Sequence, residues 1–503
     1  MKKKFDIFAL LFIIIVSIAI TSKEFQNDTF YIIKVGESIF KNGIDMIDHF
    51  SIHNIMYPYE HWLHDVMVYI IYAKTGFTGL YISNIIFASV LGLLMYFLTK
   101  KLYKNEYISL FLTIIVLFLM KNFIATRAQL ISYIIFVAEI YFIEMLNKSG
   151  KNKYIIFLCI GSILCSNIHS AVWPMYLVLF LPYLASFVLT KYYKSEFNIK
   201  KLKIYKKKNN LFFNCDSNKY SQYFETNSNE LVKKFFIAFL LCIISGLINL
   251  NHNQCFIHFI YLKLGGTLNS IGEHLPIVLY NNFDFLIYLI FLMIIFCKNK
   301  KNVNIKNILL LGGLLFLTIS SYRHMALFLT IGIYPVTEIL STFKFKSNLQ
   351  MKKILLFVSV FVLVFSVLLF NNSFNKKYVS DSYPIDAAKY INKNIDKKKM
   401  NLFNDYDYGS YLIFKDIKVF IDSRAALYTK QFNKLKYDIY DDWNEVFETG
   451  RYKKIFKRYN ITHIITEKNS ILYYALKSDP NYHKIYSDKN YTIYEYKKRV
   501  EDR

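Results

Sequence analysis

Apolar runs long enough to span hydrocarbon recur along this chain, and they limit what it can fold into more than any other feature. The first, Phe5–Ile20, follows Met1-Lys2-Lys3-Lys4 directly; others lie near Leu80–Leu98, Ile108–Phe123, Leu130–Met145, Ile155–Asn167, Ala171–Leu189, Phe235–Leu250, Phe285–Phe296, Ile308–Ser321, Met325–Leu340 and Ile354–Phe370. A bilayer core of about 30 Å takes about 20 apolar residues per helix, so the expectation is a mostly α, polytopic bundle of about eleven transmembrane helices. A single soluble core of 503 residues would not need the 54% hydrophobic content seen here, and lipid as solvent accounts for it. No small-residue cleavage site follows the first run, where Thr21-Ser22-Lys23-Glu24 stand instead, so it reads as a retained helix and not a signal peptide.

The formal charge of +26 would suggest nucleic acid in a soluble protein, but the lysines lie between the helices and exclude that reading. Alternate connections are lysine-rich: Lys100-Lys101 with Lys104; Lys148, Lys151 and Lys153; the loop 190–234 with Lys206-Lys207-Lys208; Lys298, Lys300, Lys301 and Lys306; Lys344, Lys346, Lys352 and Lys353. The positive-inside rule makes these cytoplasmic, with the amino terminus. The remaining connections then face outward, as does everything after Asn371. Residues 1–371 read as the transmembrane domain, 22–77 as its first outer loop and 190–234 as a basic cytoplasmic loop. Residues 372–503 read as a small extracytoplasmic α/β domain, with a helix after Pro384 and short β-rich runs at Val419-Phe420-Ile421, His463-Ile464-Ile465 and Tyr491–Tyr494. Six scattered cysteines form neither a disulfide framework nor a metal cluster. Abundant Lys, Asn, Ile, Tyr and Phe beside few Gly and Pro resembles AT-rich coding and points to a bacterium.

Ionisable groups at the outer membrane boundary carry the functional signal, because a charge near hydrocarbon is costly unless it has a partner or a use. The first outer loop holds Asp28, Asp48, Glu60 and His61, with Glu37, Asp45, His49, His53, His64 and Asp65; a loop that long inside a compact fold is uncommon unless functional. An acid there can serve as a general base or hold a cation against a phosphate; each alone can equally be a solvated side chain. Arg127 and Arg323 sit at helix ends on that side and suit phosphate oxygens, with snorkelling as the bland alternative. Asn167 with His169, Glu273 with His274, and His324 complete the set. No spacing among them marks a zinc site.

Read in order, these motifs resemble those of the GT-C superfamily of membrane glycosyltransferases, in the group related to protein O-mannosyltransferases and the aminoarabinose transferase of lipid A. The resemblance rests on Asp28-Thr29-Phe30-Tyr31, Gly36-Glu37-Ser38-Ile39, Asp48-His49-Phe50-Ser51, Glu60-His61-Trp62-Leu63, Thr126-Arg127-Ala128-Gln129-Leu130, Asn167-Ile168-His169-Ser170, Glu273-His274-Leu275-Pro276, Tyr322-Arg323-His324, Asp405–Leu412 and Phe420-Ile421-Asp422-Ser423-Arg424. It implies a GT-C-like bundle in the bacterial cell membrane that takes a sugar from a polyprenyl-phosphate carrier and inverts the anomeric centre. The acceptor would be a glycan, lipid or protein. The resemblance also implies an acid in the first outer loop as base or metal ligand: Asp28 first, Asp48 second, with no cofactor fixed beyond a divalent cation, Mg or Mn. Asp422 and Arg424 would contact the acceptor, or form an internal salt bridge. The rival readings are a polysaccharide polymerase or ligase on polyprenyl-linked glycans, a transporter and a non-catalytic scaffold. A transporter fits less well, because carriers place polar groups near the midplane and here they crowd one boundary.

Overall fold

The computed structural model describes residues 2–201, 228–257, 260, 272–299, 303–342 and 348–497. The Lys206-Lys207-Lys208 cluster, Cys215, Lys300, Lys301, Lys344 and Lys346 lie outside the described residues, as does 261–271 of the outer connection before Glu273.

Each apolar run falls on helical structure. In chain order the helices are α1 Lys2–Ile20, α2 Asn27–Asn42, α3 Trp62–Tyr103, α4 Glu106–Leu119, α5 Ala128–Ser149, α6 Lys153–Ile168, α7 Trp173–Val178, α8 Leu181–Lys201, α9 Asn229–Gly246, α10 Phe283–Asn299, α11 Ile305–Ser320, α12 Met325–Ser341 and α13 Asn348–Phe374. Among the described residues five stretches are long and apolar enough by themselves to cross a membrane: Trp62–Tyr103, Ala128–Ser149, Ser170–Lys191, Tyr322–Ser341 and Lys353–Phe370. The apolar helices α4, α6 and α11 are shorter. Tyr322–Ser341 is buried within the bundle, whereas Lys353–Phe370 turns Phe357, Phe361 and Leu368 outward. Large apolar side chains outside a helical bundle are the expected surface of a protein solvated by lipid.

The first outer segment is more ordered than a loop. It contains α2 and the opening turns of α3, which bends at Gly76, where φ is +63°. The core of the C-terminal domain runs directly into this segment: Phe30 of α2 packs edge-on against Tyr383 and Tyr411, with ring centroids 5.0 and 5.2 Å apart. Residues 22–77 and 372–497 therefore share one hydrophobic cluster above the bundle, separate from the cluster inside it.

The C-terminal domain carries α14 Ile385–Asn394, α15 Tyr406–Phe414 and a four-stranded sheet of order β1-β2-β4-β3, from β1 Leu402–Phe403, β2 His463–Glu467, β3 Tyr482–Ser487 and β4 Tyr491–Tyr496. β1 pairs parallel with β2, and β4 lies antiparallel to both β2 and β3. The expected β-run at Val419-Phe420-Ile421 is not one of these strands. Val419 exchanges backbone bonds with Phe50 and Ile52 of the first outer segment, and the Asn404 side chain takes the Phe420 N–H at 2.8 Å and the Ile421 carbonyl at 2.7 Å. Val419 thus makes only an isolated parallel bridge to Ser51, and the Asn404 side chain occupies groups on the next two residues that a longer pairing would use.

Candidate active site

Where the helices meet the C-terminal domain they enclose a cavity of about 210 Å³. Asp28, Glu60, His61, Arg127, His169, Glu273, His274, Arg323 and Arg424 all line it. They arrive from seven separate stretches of chain. Its roof is Tyr57-Pro58 together with part of 423–432, and Tyr31 and Tyr406 close its sides.

Arg127 stands at the junction. It caps the start of α5 in an extended conformation, which turns its side chain out of the helix. Its guanidinium then bridges two acids: Nη2 lies 2.6 Å from Asp28 Oδ2, on the first turn of α2, and Nη1 donates to Glu273 Oε1 at 2.9 Å. A planar fork that holds two carboxylates fixes both in direction as well as charge. Burial lifts the Asp28 carboxyl above its ordinary value even though Arg127 opposes it. Burial also works against the charge on Glu273, but there Arg127, with Arg323 behind it, prevails and holds the carboxyl below its ordinary value. The segments that carry Glu273 and Arg323 are further tied together, Ser321 Oγ donating to the Glu273 carbonyl at 3.2 Å and the Tyr322 N–H to the Leu275 carbonyl at 2.9 Å. Arg323 Nη1 lies 3.2 Å from His274 Nε2.

His61 and His169 line the wall between α2, α3 and α6. His61 Nδ1 lies 2.7 Å from Asp65 Oδ1, and its Nε2 lies 3.3 Å from Tyr31 Oη. Burial disfavours the charged His61 ring, yet the carboxylates of Asp65, Glu60 and Asp28 outweigh it and raise its pKa. His169, buried beside Ser132 Oγ at 3.0 Å, is instead driven well below the usual imidazole value, by burial first and then by His61 and Arg323.

The remaining expected residues sit behind the cavity. Asp48 is fully buried and receives Arg424 Nη1 at 2.8 Å, while Asp422 takes Arg424 Nε at 2.8 Å and Nη2 at 2.7 Å. Arg424 also lies over the Tyr57 ring, 4.7 Å from its centroid. Burial works against ionised Asp48, but Arg424 and the Ser51 side chain hold its carboxyl below the ordinary range. Asn167 is a staple: it donates to the Ile163 and Ile248 carbonyls at 2.9 and 2.8 Å and accepts from Trp62 Nε1 at 3.3 Å. His324 ends a short 3₁₀ turn after Arg323 and does not line the cavity.

Asp28 and Glu273 both face Arg127, whose guanidinium contacts one oxygen of each. His61, His64 and Asp65 bring ligand-type atoms within 4.8 Å of one another, but Asp65 Oδ1 lies at hydrogen-bond distance from both rings, 2.7 Å to His61 and 3.3 Å to His64. In sequence His64 and Asp65 are two more members of a loop rich in acids and histidines, and nothing singles them out by composition. The spacing of His61 and Asp65, one helical turn apart at a helix start, is the signal that could have. Nothing local marks Tyr57, and Tyr31 and Tyr406 stand out in sequence only as members of the Asp28–Tyr31 and Asp405–Leu412 motifs.

The chain matches no protein-family model and no curated protein sequence. Solved structures do match it. The oligosaccharyltransferase of Archaeoglobus fulgidus, in its apo form and tethered to an acceptor peptide containing the NVT sequon, superposes with a TM-score of 0.61 at 11% identity over 94% of this chain and 70–71% of that one. ArnT from Cupriavidus metallidurans, bound to undecaprenyl phosphate, superposes with a TM-score of 0.52 at 10% identity over 97% of both chains. Both are GT-C glycosyltransferases, and this chain has the GT-C fold.

Proposed function

We propose that the chain is a membrane glycosyltransferase that moves a sugar from a polyprenyl-phosphate donor to an extracytoplasmic glycan, lipid or protein, with inversion at the anomeric carbon. The observation that carries this reading is the cavity itself, where Asp28, Arg127, Glu273 and Arg323 converge at the ends of apolar helices beneath a polar domain. A lipid-borne phosphate lives at that depth. An apolar groove of about 870 Å³ among α4, α10, α12 and α13, lined by Phe111, Phe118, Phe291 and Phe361, offers the tail a path, and Asp284 on its wall pairs with Lys121 at 2.7 Å. The lysine asymmetry supports a cytoplasmic amino terminus and an extracytoplasmic C-terminal domain in a bacterial cell membrane.

In this reading the acceptor hydroxyl attacks the anomeric carbon while the bond to the phosphate oxygen breaks and polyprenyl phosphate departs. Asp28 takes the acceptor proton: burial strengthens it as a base, and Arg127 fixes its direction. Arg323 binds the phosphate oxygens. Asp48, the second candidate, supports Arg424 from behind. A divalent cation, Mg or Mn, would be held by Asp28 and Glu273, in competition with Arg127.

Asp28→Asn tests the reading. Transfer should fall by about 10²-fold or more while expression and undecaprenyl phosphate binding persist. Transfer retained by the Asn variant would remove Asp28 as the base.

A further inference from the structure

Asp65 is an unusual residue to bury. Its carboxylate has no exposed surface, and it lies one turn into α3, a long and largely apolar helix. Oδ1 lies 2.7 Å from His61 Nδ1 and 3.3 Å from His64 Nδ1, while Oδ2 is buried without a hydrogen-bond partner. A carboxylate left partly unsatisfied in a dry site destabilises a protein unless a neighbouring cation balances it. The structure supplies that neighbour, because His61 stands directly over it and is itself the residue that reaches the cavity.

We propose that Asp65 and His61 form a hydrogen-bonded pair in which Asp65 is the positioning residue and His61 the catalytic proton donor to the leaving phosphate. This deepens the transferase reading and rests on it for the identity of the substrate. With Nδ1–H committed to Asp65, Nε2 is the only ring atom left to act, and it faces the cavity beside Tyr31 Oη at 3.3 Å. In the step itself the acceptor oxygen–carbon bond forms and the carbon–phosphate oxygen bond breaks. The acceptor proton passes to Asp28, and the Nε2 proton passes to the phosphate oxygen that receives the electron pair. Water then returns Asp28 and His61 to their starting states. The groups facing His61 are Asp65 and His64 on the first turn of α3, which follows it, Glu60 before it, Asp28 and Tyr31 on α2, and His169 after α6. Three of these six are acids, and they favour the charged ring where burial disfavours it.

Two measurements on the full chain in detergent decide the matter. In the first, carbon-13-labelled histidine is followed by NMR, with His61→Gln assigning the signal. His61 should titrate above the ordinary value of about 6.5 and drop by at least one pH unit in Asp65→Asn. A wild-type ring that titrates at or below 6.5 overturns the pair even if Asp65→Asn fails to fold. So does stoichiometric uptake of Mn²⁺ or Zn²⁺ that Asp65→Asn abolishes, since the cluster would then be a metal site. In the second, undecaprenyl phosphate binding at pH 7 should weaken about tenfold in His61→Gln. Asp65→Asn should lose binding at a lower pH than wild type does. Wild-type binding by His61→Gln overturns the role as donor. If the wild type binds no undecaprenyl phosphate at all, the transferase reading fails, and the titration still decides whether the pair exists.

Discussion

Gly36 of α2 lies so close to the start of α3 that a Cβ built on it would stand 2.0 Å from the carbonyl oxygen of Asp65. Only a residue with no side chain lets the two helices meet there, and that approach seats Asp28 and Tyr31 across from His61. Gly36→Ala should therefore force the helices apart. The expected outcome is a loss of roughly 1–3 kcal/mol in thermal or denaturant unfolding together with lost undecaprenyl phosphate binding. Gly43→Ala, where φ is +81° but nothing lies within 4 Å, should cost stability alone.

Arg127→Lys keeps the charge and loses the fork. One ammonium cannot reproduce the paired bonds to Asp28 and Glu273, so transfer should fall at least about tenfold while the unfolding midpoint changes little. A Lys variant with wild-type turnover would show that charge alone, and not planar geometry, is what Asp28 needs.

Arg424→Ala leaves Asp48 and Asp422 buried without their cation. Removing one partner of a buried ion network costs about 3–5 kcal/mol, so this variant should unfold well below the wild type. Asp48→Asn should cost less, because Arg424 retains its two bonds to Asp422. The reverse order in a thermal-shift series would contradict a network centred on Arg424.

His53 joins the first outer segment to the C-terminal domain through Nε2 and the Phe420 carbonyl at 2.8 Å, and burial pushes its pKa down to about 4. The folded ring thus binds fewer protons than the unfolded one between about pH 4 and 6.5, so its contribution is complete above that window and is lost as pH falls through it. His53→Gln should flatten the acid side of a plot of unfolding midpoint against pH.

Asp405 shows the opposite sign. Burial first, and Asp407 second, raise its carboxyl to about 7, so the folded state binds more protons than the unfolded chain between about pH 4 and 7 and stability falls as pH rises through that range. Asp405→Asn keeps an oxygen for the Tyr406 N–H and removes the charge. The variant's melting midpoint should exceed the wild type's at pH 8, and the gap should close as pH falls to about 4.

Arg127, Glu273 and Arg323 are legible in the sequence because a charge beside hydrocarbon is expensive wherever the chain goes next. Their partners are not. That Arg127 bridges Asp28 and Glu273, or that Asp48 serves Arg424 from behind the cavity wall, depends on segments far apart in sequence. The β-rich run at Val419-Phe420-Ile421 departs from its sequence pattern for a related reason, since the Asn404 side chain and the first outer segment claim its backbone.

From sequence alone came the solvent and an expectation of sidedness: apolar runs must be helices in lipid, where every backbone polar group has to be bonded within its own segment, and lysine placement proposes which connections share a face. Those are local properties, written residue by residue. Tertiary structure decided the site, because hydrogen bonds and ion pairs act over a few ångströms and only packing, as at Gly36 against Asp65, brings distant stretches within that reach.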